Sequence, residues 1–145
     1  MSVKDDKIDQ FIAAMFDLTN AIESEFEHCC EICGGINKKE LMIIAFVGEN
    51  KSVKMSEIAD YLKAPLSTIT SITDKLVANK YLLRHNSDED RRVVKVALGG
   101  KGLESYKAFL NRKKTMTKKV LSHFSEKEQN ALIRQVNTLA SAIAP

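Results

Sequence analysis

The stretch EHCCEICGG, residues 27–35, places three cysteines and a histidine just before a glycine pair. Thiolate and imidazole groups are ligands that zinc prefers, and a C-x-x-C pair can also form a redox dithiol. A closed zinc site needs four ligands, however, and the chain has no second C-x-x-C. The side chains that could serve either chemistry are His28, Cys29, Cys30 and Cys33.

Three interpretations of these cysteines remain open. Cys29 and Cys33 continue an apolar helical stripe, and free cysteine is among the most buried residue types, so the stripe favours core thiols. Zinc binding or thiol oxidation at Cys29, Cys30 and Cys33 is the alternative, although we expect that no cofactor is required. The cluster lies near the C-terminal end of a predicted helix, where the helix dipole disfavours a reactive thiolate.

A second group of polar side chains lies in the stretch LSTITSITDKLVANK, which follows Pro65. This stretch predicts a helix with an apolar face and a face of small hydroxylated and basic residues. The apolar face comprises Ile69, Ile72 and Leu76, and the polar face comprises Ser67, Thr68, Thr70, Ser71 and Lys75. A small polar face can enter the major groove of DNA closely, where hydroxyls reach phosphates or base edges. We expect the polar face to bind DNA, with Lys75 pairing with a phosphate.

The segments YLLRH and RVVKVAL, which flank the polar loop NSDED, predict a β-hairpin. Arg91 and Arg92 lie near its tip, and Arg84 lies on its first strand. Arginine side chains on such a wing can hold the DNA backbone or enter the minor groove, where negative potential is concentrated. With the short helix MSEIADYL and the tight connection KAP, the hairpin predicts a winged helix-turn-helix.

The periodicity of apolar residues predicts six helices in all. Their predicted positions are about Asp5–Cys33, a second helix capped by Asn37 and Glu40, 55–62, 66–80, about Lys101–His123, and a sixth capped by Ser125 and Glu128. The predicted fold class is mainly α with a small β wing. Within a single domain of residues 1–145, residues 36–98 form the winged helix-turn-helix, and 1–35 and 99–145 form a helical dimerisation region.

The charge of the chain is unevenly distributed. Residues 1–50 carry 4 basic and 10 acidic side chains, a net charge of −6, whereas residues 99–119 carry 7 basic and 1 acidic, a net charge of +6. Such asymmetry is typical of a protein whose basic part meets a polyanion. The chain has no apolar run that could cross a membrane and no apolar signal core near residue 1. We therefore expect a cytoplasmic protein with reduced thiols.

From MSEIADYL onward, the sequence resembles the MarR family of winged-helix transcriptional regulators. The segment DEDRRVVKVALGGKG is similar to the family wing pattern DPxDRRxxxLxLTxxG. The order of elements is also similar, with a long first helix, a winged module and two long final helices. Three positions depart from the pattern, namely Ser87, Asp88 and Gly99. They predict a looser wing tip and a weaker cap on the fifth helix.

The resemblance implies a homodimer, joined by its first, fifth and sixth helices, that binds double-stranded DNA at a pseudo-palindromic operator. It implies repression of nearby genes, relieved by a small-molecule effector, a metal or an oxidant. It also implies that Asp74 pairs with Arg92, and it makes Asp74 and Asp90 the residues that orient the wing.

Two other functions remain open on the sequence alone. One is a thiol- or metal-dependent redox protein built on the C-x-x-C pair, and the other is a helical interaction module that does not bind DNA. The chain contains no P-loop, dinucleotide motif or Ser/His/Asp order, so we do not expect an enzyme.

Overall fold

The computed structural model describes residues 1–145 as six helices and a three-stranded antiparallel sheet. The helices are α1 (Asp5–Ile32), α2 (Lys38–Asn50), α3 (Met55–Leu62), α4 (Leu66–Ala78), α5 (Gly100–Leu121) and α6 (Glu126–Ile143). The strands are β1 (Ser52–Lys54), β2 (Leu82–Asn86) and β3 (Val94–Leu98). The predicted fold class, mainly α with a small β wing, is confirmed. None of the helices combines the length and apolar character needed to span a membrane.

The predicted capping residues fix the starts of two helices. The Asn37 side chain accepts a hydrogen bond from the Glu40 backbone N–H at 2.9 Å, and the Glu40 carboxylate accepts one from the Asn37 N–H at 3.1 Å. Ser125 and Glu128 form the same reciprocal pair at the start of α6. These bonds satisfy backbone donors that have no partner within the helix.

The sheet has the order β1-β3-β2, so β3 lies in the centre. The hairpin of β2 and β3 is the predicted wing, and β1 is an additional strand that the sequence analysis did not predict. The wing tip is closed by the Ser87 N–H, which donates to the Val93 carbonyl at 2.8 Å. The buried Ser87 hydroxyl also accepts a hydrogen bond from the Glu89 N–H. Ser87 therefore stabilises the wing tip, in contrast to the looser tip expected from the sequence.

The hydrophobic core of the winged module is formed by aliphatic side chains from its helices and strands. Its fully buried members include Leu41, Ile43, Ile44, Val47, Val53, Ile58, Ile69, Leu76, Leu82 and Val96. Burying one such side chain contributes about 1.5–3 kcal/mol. Gly99 is also buried, and a Cβ there would collide with the Lys80 carbonyl. This close approach accounts for a glycine at the position where the family pattern has threonine.

The chain divides into two compact units, Met1–Phe109 and Leu110–Pro145, with the boundary inside α5. In the first unit, Phe26 of α1 packs edge-on against Phe109 of α5, with 6.1 Å between ring centroids. The first turns of α5 therefore lie in the same compact unit as α1 and the winged module, and the assignment of residues 1–35 and 99–145 to dimerisation stays a prediction. In the second unit, the Gln129 side-chain amide donates to the Leu121 and Phe124 carbonyls, each at 3.0 Å, and so fixes the turn before α6.

Candidate nucleic-acid interface

The turn between α3 and α4 sets the direction of α4. Lys63 closes α3 in the left-handed backbone conformation, with φ 51° and ψ 46°. The Ala64 N–H then donates back to the Ala59 carbonyl at 3.0 Å, and Pro65 leads into α4. Because only three residues separate the two helices, the start of α4 is fixed relative to α3.

The outward face of α4 carries most of the predicted hydroxylated residues. Ser67 and Ser71 are exposed, and Thr70 lies half-buried between them. The Thr70 hydroxyl donates to the Leu66 carbonyl at 2.9 Å within the helix, and its lone pairs can still accept a bond. Apart from Leu66, which is exposed beside Thr70 at the start of the helix, the face is small and polar over its first two turns, as close approach to a groove requires.

Thr68 lies apart from this face. It is half-buried and lines a cavity of about 480 Å³ beside α4, whose rim includes Lys38, Lys39 and Lys63. Apolar side chains such as Met42 form the remaining wall. The structure therefore groups Thr68 with the start of α2 rather than with Ser67 and Ser71.

Thr73 faces the core, a placement that the sequence analysis did not foresee. Its side chain is fully buried, and its hydroxyl oxygen has no hydrogen-bond partner. The residue type suggested an outward position, but Thr73 is four residues after Ile69 and three before Leu76, both fully buried. Helical spacing could therefore have identified it as a core position.

The Lys75 ammonium is held by α2 in this structure. Its Nζ donates to Glu40 Oε1 at 2.9 Å, and the Glu40 side chain is only 6% exposed. The phosphate contact predicted for Lys75 remains a prediction, but any such contact has to compete with this buried carboxylate.

The wing arginines form two ion pairs that differ from the implied arrangement. Asp74 of α4 pairs with Arg84 of β2, and Asp90 pairs with Arg92 through bonds of 3.2 Å to Nε and Nη2. The Asp74–Arg92 pair implied by the family resemblance is therefore not formed. The reason is local: Asp90 lies two residues before Arg92 and also accepts its backbone N–H at 3.0 Å, while Arg84 occupies Asp74.

Both aspartates predicted to orient the wing thus bind a wing arginine. The hydrogen bonds from the Arg92 side chain and then from its backbone lower the pKa of the Asp90 carboxyl. Arg91 is exposed, and the Arg92 side chain is 91% exposed despite its ion pair. The wing therefore presents two adjacent guanidinium groups to solvent.

The three cysteines lie in the core at the C-terminal end of α1, with Cys30 beside the start of α2 and Cys33 beside α5. Cys29, Cys30 and Cys33 are buried, and the Cys33 thiol donates to the Ser105 carbonyl at 3.3 Å. Burial raises the pKa of the Cys30 thiol, and it raises the pKa of Cys33 to about 11, with smaller contributions from Cys29 and Cys30. Ser105 returns a bond of 2.8 Å to the Cys33 carbonyl.

His28 does not join the cysteines in a metal-binding arrangement. It is exposed, and its Nδ1 lies 3.8 Å from a Glu31 carboxylate oxygen. No group of three or more His, Cys, Asp or Glu side chains in the chain is placed to hold a metal ion. The burial agrees with core thiols, and zinc binding and thiol oxidation stay as predictions.

Comparison with known proteins identifies the module that carries this surface. The model of the MarR family matches residues 36–94. Residues 36–94 are a MarR-family domain. The matched range extends from the start of α2 to the first residue of β3, so α4 and the wing arginines lie within the MarR domain.

Curated relatives of this MarR domain include two proteins of Bacillus subtilis (strain 168). The HTH-type transcriptional regulator YpoP is 27% identical over 107 residues, 74% of this chain and 65% of its own length. The HTH-type transcriptional repressor MdtR is 28% identical over 94 residues, 65% of this chain and 61% of its own length. The match therefore spans less than two thirds of either relative.

A solved structure extends the likeness beyond the MarR domain itself. The Streptococcus pneumoniae protein FabT, determined in complex with DNA, superposes with a TM-score of 0.77 over 97% of both chains. Its sequence identity to this chain is 24%, so the comparison concerns the fold. The MarR domain and its flanking helices thus share one fold with a protein that was crystallised on DNA.

Proposed function

We propose that this chain is a sequence-specific DNA-binding transcriptional regulator that acts as a homodimer on a pseudo-palindromic operator. In this proposal α4 enters the major groove and the wing reaches the adjacent minor groove. It acts as a repressor, and a small ligand, a metal or an oxidant relieves the repression. The names of the relatives YpoP and MdtR, a regulator and a repressor, support this proposal.

The observation that carries the proposal is the pairing of two surfaces in one module. The outward face of α4 offers Ser67, Thr70 and Ser71, and the wing offers the exposed Arg91 and Arg92. Hydroxyls can read base edges or bind phosphates, whereas guanidinium groups are attracted to the phosphates and to narrow minor grooves. A merely solvated helix would not need an arginine-rich hairpin beside it.

The homodimer is supported by apolar side chains that the single chain leaves exposed. On α1 they are Ile8, Phe11, Ile12, Phe16, Leu18 and Ile22, and on α6 they are Ile133, Val136 and Ile143. Exposed apolar residues repeated along two long helices are costly in water and are typical of an interface between symmetric copies. A second copy of the chain would bury them and present two α4 helices to one DNA duplex.

Selection of binding sites from random duplex DNA, followed by footprinting, tests the proposal. We expect a pseudo-palindrome whose half-sites lie ~10–10.5 base pairs apart, because a two-fold dimer reads successive major grooves. Protection of one asymmetric half-site, or no selected sequence at all, would contradict the proposal.

The role of the wing can be tested separately. Arg92→Ala should weaken binding to all duplexes and flatten the salt dependence of affinity, because one cationic contact is lost. Arg134→Ala removes an equal charge from α6 and serves as the control. An unchanged affinity for Arg92→Ala at moderate salt would contradict the wing assignment.

The two alternatives predict different results in the same experiments. A helical interaction module would select no DNA sequence. A thiol-based redox protein needs a thiolate, yet burial raises the pKa of the Cys33 thiol to about 11 and thereby disfavours the reactive form at neutral pH. The structure therefore offers less support for redox catalysis than for DNA binding.

A further inference from the structure

Three glutamates of this chain stand at the third position of a helix and accept the backbone N–H of its N-cap residue, and one of them differs from the others. Glu57 at the start of α3 and Glu128 at the start of α6 are exposed. Glu40 at the start of α2 is 5% exposed. Since a capping box works equally well in solvent, capping alone does not explain why the Glu40 carboxylate is buried.

The two oxygen atoms of Glu40 serve two different elements. Oε2 accepts the Asn37 backbone N–H and closes the cap of α2, while Oε1 accepts the Lys75 ammonium from α4. A buried carboxylate is tolerated only where hydrogen bonds and an opposite charge compensate for the lost hydration. Lys75 supplies that charge, and it comes from the helix that carries the proposed reading face.

A second ion pair binds α4 from the wing at the adjacent position. Asp74 pairs with Arg84 of β2, and consecutive residues on a helix point about 100° apart. The two ion pairs therefore connect α4 to different neighbours: Lys75 binds α2, and Asp74 binds the wing. Such a pair of attachments resists rotation of the helix about its own axis.

We propose that Glu40 is a positioning residue for DNA recognition, which through Lys75 sets the rotation of α4 and hence the direction in which Ser67 and Ser71 face. This inference rests on the proposed function. In this role Glu40 touches no DNA, and Lys75 acts through the protein rather than through a phosphate.

The test compares three variants with the wild-type dimer on its selected operator and on a non-specific duplex. Glu40→Gln and Lys75→Met should each lower operator affinity by about ten-fold, because a rotated reading face loses its base contacts. Neither variant should change non-specific affinity or the salt slope, since a lost phosphate contact would reduce the slope by ~0.9. The double variant should be no worse than either single variant.

Two controls separate positioning from general damage. Glu128→Gln removes the carboxylate of an exposed capping box and should leave operator affinity unchanged. Lys75→Arg keeps the charge and should restore most of the affinity lost in Lys75→Met. If Glu40→Gln does not fold, the comparison of Lys75→Met with Lys75→Arg still decides the question.

Several outcomes would overturn the inference. A salt slope reduced by about one contact in Lys75→Met would make Lys75 a phosphate ligand. Operator affinity equal to wild type in both single variants, or losses that add in the double variant, would remove the positioning role. If the wild-type chain selects no operator at all, the proposed function itself fails, a result that these variants cannot mimic.

Discussion

At the scale of single residues, Thr73 places a hydroxyl without a partner inside a well-packed core. A buried polar atom that makes no hydrogen bond keeps the cost of its lost hydration, which is about 1–3 kcal/mol. Valine has nearly the same shape and no such group. Replacing this one side chain should therefore make the fold slightly more stable.

Thr73→Val should raise the free energy of unfolding by about 1 kcal/mol, because the unpaired hydroxyl is replaced by a methyl group. Urea denaturation of purified protein measures the change. Thr70→Val is the matched control on the same helix, since the Thr70 hydroxyl already donates to the Leu66 carbonyl and is partly exposed. A loss of stability in Thr73→Val would show that the hydroxyl has a partner, such as a buried water.

The thiol of Cys33 should react slowly in the folded protein. Its pKa is raised from the ordinary 9.0 to about 11, so the thiolate fraction at neutral pH falls about 100-fold. Labelling with an aromatic disulfide reagent, in a variant that keeps Cys33 and replaces Cys29 and Cys30 by alanine, measures this rate. The rate should rise as the pH approaches 11, and denaturant should abolish the protection.

The raised pKa of Cys33 also makes the free energy of unfolding depend on pH. Because the folded state holds the Cys33 proton more tightly than the unfolded chain, the stability that this proton contributes is fully present below about pH 9 and is lost as the pH rises toward 11. Rapid labelling at neutral pH, or release of DNA on mild oxidation, would contradict core thiols and favour redox sensing.

At the scale of elements, the sequence predicted what local chemistry determines. Asn37 and Ser125 marked helix starts correctly, because a cap depends on residues three apart. Strand β1 was missed because its three residues, lying directly between two helices, are too few to show alternation. The Lys75–Glu40 pair joins residues 35 apart, and only the packing of α4 on α2 reveals it.

Lys63, at the end of α3, occupies a backbone conformation that suits glycine. A non-glycine residue in the left-handed region costs about 1–2 kcal/mol. Lys63→Gly should therefore stabilise the fold by about 0.5–1 kcal/mol, after allowance for the greater freedom of glycine in the unfolded chain. Thermal and urea unfolding measure the gain.

Lys63→Ala provides the control for this turn. It removes the charge but keeps the Cβ, so it should give no gain and should lose a few tenths of a kcal/mol from the α3 dipole. Equal stability of the glycine and alanine variants would show that backbone strain at Lys63 is negligible.

At the scale of the whole molecule, the proposed dimer depends on the exposed apolar side chains of α1. Phe16→Asp should shift the protein from dimer to monomer at micromolar concentration, because it places a charge within the interface. The Phe16 side chain is 66% exposed in the single chain, so each monomer should remain folded. Analytical ultracentrifugation gives the mass, and circular dichroism confirms the helix content.

Gln10→Asp adds the same charge to an exposed polar position on the side of α1 opposite Ile8 and Ile12, and it should leave the dimer intact. A dimer that survives Phe16→Asp would exclude this stretch of α1 from the interface. Loss of dimer without loss of fold should also abolish binding to the pseudo-palindrome while single half-sites still bind weakly.

The burial of Glu40 also limits how this sequence can evolve. Loss of Lys75 alone leaves the buried Glu40 carboxylate without its opposite charge, so that first step lowers stability. Neutral drift should therefore preserve the charged pair or pass through substitutions that remove both charges together. Among descendants of this chain, positions 40 and 75 should be inherited as one character.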